Sequence, residues 1–234
     1  MNICIFYTSP KLGDIILQLP FIKAIANHYN TKVTLCVNKY INIKTILENQ
    51  NYIKSVIENP FRRGRFYLND LFNLYRELKK ERIDCAFILE KTKAPAIACK
   101  IAKVDKIFGF GIGSQKLFVD HSVSLSKNDL RYNYTSQSIK FLNYLGIPFN
   151  LDQKYLELDN LHIDNFLNKN LPKPWVCFAV DSTEINRIWP QKYFAKLADK
   201  LIDRNLAKTI FIINYENHKK YFDEIRKNSI YQNQ

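Results

Sequence analysis

Apolar and polar positions along this chain repeat in one order: a short β-type run, a polar turn, then a stretch with helical spacing. The run from Ile3 to Phe6 predicts a strand over 3–6. Ile15, Leu19, Ile22, Ala26 and Tyr29, spaced by four and three, predict a helix over 14–29. Pro20 falls about two turns into it, where a missing N–H predicts a kink or a boundary. Further strands are predicted over 32–37, 52–57, 85–89 and 106–110, with helices over 41–48, 69–81, 94–102 and 129–144. Leu71, Phe72, Tyr75 and Leu78 form the apolar stripe of the helix over 69–81, and 85–89 is an almost unbroken apolar run of the kind a central parallel strand carries. Repeated β–α units of this size predict an α/β fold with a doubly wound parallel sheet over residues 1–150.

The pattern changes over 149–174, which is polar with scattered apolar anchors. It reads as an edge strand and a linker helix, the linker proper spanning 151–174. A second domain over 175–234 then opens with a strand at 175–180. Pro190 starts a helix over 191–204, with Phe194, Leu197, Ala198 and Leu201 facing inward. A strand at 209–213 and a helix at 216–227 follow. Two β–α units do not cover both faces of a doubly wound sheet, so the second domain is expected to be incomplete or to borrow surface.

Charge separates the two parts. Residues 1–150 hold 22 Lys and Arg against 11 Asp and Glu, whereas 151–234 hold 13 against 11. A basic first part suits a polyanionic partner: nucleic acid, an anionic membrane face or a phosphorylated substrate. A surface rich in Lys and Asn without a partner is the plainer alternative. No nucleic-acid module signature accompanies the charge, so no nucleic-acid partner is expected. No apolar run reaches the ~20 residues of a membrane span, and Lys11 and Asp14 interrupt any leader-like segment, so a cytoplasmic protein is expected. Five widely spaced cysteines, Cys4, Cys36, Cys85, Cys99 and Cys177, suit buried thiols better than a disulfide frame or a metal cluster.

Two loops carry the candidate chemistry. After the strand at 3–6 come Thr8, Ser9, Lys11, Gly13 and Asp14; after the strand at 175–180 come Ser182, Thr183 and Arg187. Loops at the carboxyl ends of parallel strands are where such folds bind ligands. Asp14 is placed to take a proton from a nucleophile, or simply to cap a helix. The second loop offers hydroxyls, a cation and helix N–H groups, a set suited to a phosphate or diphosphate. Neither loop has the glycine fingerprint of dinucleotide binding or the Gly-Lys-Ser/Thr ending of a phosphate loop, which weighs against hydride transfer and nucleotide hydrolysis.

Thr8, Ser9, Leu12, Gly13, Asp14, Leu19 and Pro20, followed some 175 residues later by Ser182, Thr183, Arg187, Trp189, Pro190, Phe194, Leu197 and Ala198, resemble the ADP-heptose:lipopolysaccharide heptosyltransferase family. Ile107 to Phe110 sits where that family has Ile-Gly-Phe. The resemblance implies two facing Rossmann-like domains of GT-B type and an inverting, metal-independent transfer. Asp14 would be the general base, with Thr8, Ser9, Lys11 and Gly13 positioning its loop. Ser182, Thr183 and Arg187 would hold the donor diphosphate. No cofactor is implied beyond ADP-heptose as donor substrate. The anionic lipopolysaccharide inner core would be the acceptor, met by Arg62, Arg63, Arg65, Lys91 and Lys93, with peripheral contact at the cytoplasmic face of the inner membrane. The chain departs from the family pattern at Pro10-Lys11, one residue longer than usual, at Arg187 in place of lysine, and at Asn214-Tyr215-Glu216 in place of a Gly-Gly turn. The family's later donor segment has no counterpart before Gln234. A truncated, weakly active or purely binding homologue, completed by a protein partner, is the alternative expectation.

Overall fold

The computed structural model describes residues 1–62, 67–123, 125–126, 128–129, 134–151, 155–157, 170–182, 184–215 and 218–231. The chain forms two compact units, Met1–Asp159 and Asn160–Gln234.

In the first unit, β1 (Ile3–Phe6), β2 (Val33–Asn38), β3 (Ile53–Asn59), β4 (Cys85–Ile88), β5 (Lys106–Gly109) and β6 (His121–Ser122) form one sheet in the order β3-β2-β1-β4-β5-β6, every pair parallel. Strand β1 is completely buried, and its residues divide by the two-residue period of a strand. Ile3, Ile5 and Tyr7 pack with helix α1 (Leu12–His28) and with α5 (Tyr134–Tyr144) on one face. Cys4 and Phe6 pack with α3 (Tyr67–Lys80) and α4 (Ala94–Ile101) on the other. The short α2 (Lys44–Glu48) adds Leu47 to the first face. This is the doubly wound α/β arrangement that alternating β–α units imply. Cys4, Cys36, Cys85 and Cys99 are core residues whose thiols burial pushes up, while Cys177 is exposed.

Several elements differ from expectation. Helix α1 begins at Leu12 and continues through Pro20, which is buried. The lost hydrogen bond at Pro20 is offset by burial of Leu19, Phe21, Ile22 and Ile25 around it. The stretch 41–48 divides into a 3-10 turn, Lys39–Ile41, and α2. Along α3, Phe72 is exposed and Leu74 takes the core position with Leu78. Strand β6 escapes the hydrophobic pattern because it is two residues long and polar, aligned by Phe108 stacking on His121. The expected edge strand and linker helix over 149–174 fall largely on 152–154 and 158–169, outside the described residues.

The second unit pairs β7 (Trp175–Ala179) with β8 (Thr209–Ile213) in parallel and adds α6 (Gln191–Asp203) and α7 (Lys219–Asn228). Its core is small: Phe178, Val180, Ala195, Ala198 and Ile225, with half-buried neighbours. Leu197 faces out, while Ala195 and Ala198 on either side of it are buried. A two-stranded sheet with little buried area is marginal. Amides of β7 and β8 are therefore expected to exchange with solvent faster than those of β1 and β4, read by hydrogen-exchange mass spectrometry; equal protection would contradict this.

Candidate functional site

The strand order reverses at β1. The chain moves outward from β1 to β2 and β3, then returns to place β4 on the other side of β1. At such a switch point the loops leave in opposite directions and a crevice opens at the carboxyl ends of the strands. A cavity of about 660 Å³ lies there, bounded by Thr8 and Ser9 after β1, Asn38 and Asn59 at the ends of β2 and β3, and Glu90 and Lys91 after β4.

Register decides which side chains meet across the crevice. Phe6 is the partner of Ile88, and the ladder extends by one bond from the Leu89 N–H to the Phe6 carbonyl. Two residues further on, Thr8 and Glu90 stand opposite each other. The Thr8 hydroxyl lies 2.6 and 2.7 Å from the two oxygens of the Glu90 carboxylate, both residues being buried. Burial raises the Glu90 pKa to about 6, against the opposing effect of hydrogen bonds from the hydroxyl and N–H of Thr8 and from the Thr92 side chain. Sequence reading passed over Glu90. Its signal was a carboxylate directly after the apolar run of a central strand.

Asp14 lies in the first turn of α1, half-buried, and Ser9 Oγ donates to its Oδ2 at 2.7 Å. Lys11, not Asp14, holds the position before the helix and provides no side-chain cap. Asp14 does not itself line the cavity, whereas Ser9 does. A Cβ built on Gly13 meets nothing within 4 Å, so packing does not require a glycine there.

Among the basic candidates, Lys91 and Lys93 border the cavity. Arg62 does too, but its guanidinium is held by Asp70: Nη2 to Oδ1 at 2.7 Å, with the Arg62 N–H to Oδ2 at 2.7 Å. Burial opposes ionisation of Asp70, yet these donors outweigh it and keep the carboxyl below the usual range. Asn59 braces the same turn, donating to the Asp70 carbonyl and accepting from the Phe61 N–H. Arg63 and Arg65 lie outside the described residues.

In the second unit the structure places Ser182 and Arg187 on one loop; Thr183 lies outside the described residues. Arg187 Nε pairs with Glu184 at 2.9 Å on the surface, a contact of small energetic weight. The organiser here is Asp181, which sequence reading did not single out. Its carboxylate accepts from the Ser182 N–H at 2.8 Å, the Tyr215 N–H at 3.0 Å and His218 Nδ1 at 2.8 Å, tying the loop after β7 to the loop after β8. Burial disfavours its charge, but these donors hold its pKa below the ordinary value.

The raised pKa of Glu90 has a stability consequence. The folded state holds this proton more tightly than the unfolded chain does. The stabilising contribution is therefore complete below the ordinary glutamate value and is lost as pH rises through about 6. Above that, ionised Glu90 costs on the order of 2 kcal/mol. Glu90→Gln is expected to stabilise the protein by about 1–2 kcal/mol at pH 7.5 and by almost nothing at pH 4, measured by urea unfolding. A pH-independent difference would refute the assignment.

Comparison with curated protein sequences found no match. Solved structures share the fold, three of them as follows. The family 9 glycosyl transferase of Veillonella parvula matches with a TM-score of 0.77 at 16% identity, over 98% of this chain and 66% of that one. The Escherichia coli ADP-heptose lipopolysaccharide heptosyltransferase II gives 0.71 at 15% identity, over 97% and 68%. The E. coli heptosyltransferase WaaC with ADP gives 0.69 at 16% identity, over 99% and 73%. The chain thus spans about two thirds to three quarters of these GT-B structures and shares their Rossmann-like architecture. The profile described as glycosyltransferase family 9 (heptosyltransferase) matches residues 71–231, a span that includes Ser182 and Arg187 but not the β1–α1 loop. The chain belongs to glycosyltransferase family 9, the heptosyltransferase family.

Proposed function

We propose that this chain acts in sugar transfer, moving a heptose from ADP-heptose to the anionic inner core of lipopolysaccharide with inversion. Membership of the heptosyltransferase family carries the reading, and the Ser9–Asp14 pair beside the switch-point cavity supports it. In this mechanism Asp14 accepts the proton of an acceptor hydroxyl, and that oxygen attacks the anomeric carbon of the donor. The bond to the diphosphate breaks, and ADP leaves with the electron pair. Ser9 orients the Asp14 carboxylate through its 2.7 Å hydrogen bond. Ser182, Thr183 and Arg187 meet the negative charge that grows on the departing diphosphate. Lys91 and Lys93, with Arg63 and Arg65, attract the acidic acceptor, and Arg62 shapes the cavity wall through Asp70. Attraction to an anionic lipid brings the protein to the cytoplasmic face of the inner membrane; no helix among the described residues is long and apolar enough to cross one.

One observation favours a second reading, a binding protein without transfer. The Asp181 carboxylate already occupies the Ser182 N–H and adds negative charge to the loop assigned to the diphosphate. Calorimetric titration with ADP separates the two readings. Saturable binding supports transfer, and its absence at millimolar ADP supports the second reading.

Replacing Asp14 with Ala tests the base directly. Heptose transfer from ADP-heptose to heptose-free core lipopolysaccharide is expected to fall by about 10²–10⁴-fold with unchanged circular dichroism. Undiminished turnover would remove Asp14 from the chemistry.

A further inference from the structure

We infer that Glu90 is a positioning residue for Asp14, acting through the Thr8 hydroxyl to fix the β1–α1 loop across the switch-point crevice. The inference rests on the reading of Asp14 as general base. Its physical basis is a continuous set of contacts in which a rigid side holds a less constrained one.

The rigid side is the turn after β4. Gln115 is fully buried on the 3-10 turn Gly113–Leu117, and its side-chain amide is used from both ends. Nε2 donates to the Glu90 carbonyl at 2.9 Å and to the Thr92 carbonyl at 2.7 Å, while Oε1 accepts from the Gly111 N–H at 2.9 Å. Three bonds on one planar amide fix both its orientation and the backbone of residues 90–92. Gly111 is required in this arrangement. Its φ is +63°, and a Cβ there would come within 2.4 Å of the Ser122 side chain.

The less constrained side is the loop after β1. Residues 7–11 leave the sheet without regular structure before α1 begins at Leu12. The Asn38 side chain reaches the Thr8 carbonyl only at 3.4 Å, so the short Thr8–Glu90 contact is the strong tether at that point. The next residue, Ser9, holds Asp14. A displacement of Thr8 is therefore carried through one peptide unit and one hydrogen bond to the carboxylate that must meet a substrate hydroxyl, where an error of about 1 Å is expensive.

Glu90 also makes the tether responsive to protonation. Ionised, its oxygens accept the Thr8 hydroxyl. Protonated, one oxygen becomes a donor and the contact has to be rebuilt. Other titratable and charged groups face the same space: Tyr7 beside Thr8, Lys91 and Lys93 on the turn after β4, and Arg62, Tyr67 and Asp70 on the β3–α3 side. Cys36 of β2 feels the Glu90 charge from the sheet. Substitution of Glu90 itself is thus needed to assign any transition to it.

The test reads loop position, not transfer, so it stands whether or not Asp14 proves to be a base. Backbone amide NMR of the full chain is recorded between pH 4.5 and 8. The expected result is a shared transition near pH 6 in Thr8, Ser9, Gly13 and Asp14, absent in Glu90→Gln, retained in Thr8→Ser and lost in Thr8→Val. A residue that only supported the fold would not produce a transition shared with Asp14 and restored by serine. The inference is overturned if the transition persists in Glu90→Gln, or if Thr8 titrates while Ser9 and Asp14 stay still. Should Glu90→Gln fail to fold, the Thr8→Ser and Thr8→Val pair decides the matter by the same criterion. Loop coupling found together with full transfer by Asp14→Ala would overturn the base assignment alone.

Discussion

The pairing of β1 with β2 on one side and β4 on the other is the constraint from which the rest of the first unit follows. Because all three strands are parallel and in register, their carboxyl ends stop at one level and their loops emerge together. Phe6 is level with both Cys36 and Ile88. The residues that follow must share the crevice between diverging loops, and their polar groups must find partners there because the strands beneath are buried. Thr8 and Glu90 meet for this reason. A slip of one residue in the β1–β4 register would turn one of the two side chains to the opposite face of the sheet.

Two acidic groups on this cavity show how neighbours divide the work of burial. Asp70 lies under a guanidinium and a backbone N–H, and its charge is held firmly. Glu90 is held by hydroxyl and amide donors, and burial keeps it close to neutrality at mildly acid pH. The first is a structural brace for the loop that carries Phe61 and Arg62. The second costs stability at neutral pH, and a group of that kind in a cleft marks a functional position more often than an isolated structural one. The second unit repeats the theme with Asp181, whose charge is spent on three local donors that join two loops.

Much of this architecture is legible in the sequence because it rests on local patterns. The apolar runs at 3–6 and 85–88 declare buried strands, the run at 209–213 declares a strand that is only half-buried, and the helical spacing through Ile15, Leu19 and Ile22 declares α1. Pro20 does not end the helix, because burial on several sides of it holds the residues before and after the missing N–H together. Phe72 misleads because size suggests burial, whereas the helix turns Leu74 to the sheet. The site is legible only in part. Asp14 and Ser9 are close in sequence, so a motif can show them. Glu90 lies 82 residues from Thr8, and His218 lies 37 from Asp181. Such contacts are set by strand register and loop direction, which no short window contains. Arg62 illustrates the same limit: the sequence offers a free cation, and the fold commits it to Asp70.

The central proposal is that the crevice between β1 and β4, with Glu90 at its wall, is the place where a sugar acceptor would be met. Carbon NMR of the Glu90 side-chain carboxyl, assigned by its loss in Glu90→Gln, measures this most directly. The account predicts a titration midpoint of about 6 in the free protein and a displaced midpoint when heptose-free core lipopolysaccharide is added. A midpoint at the ordinary glutamate value of about 4.3, unmoved by that acceptor, would contradict it.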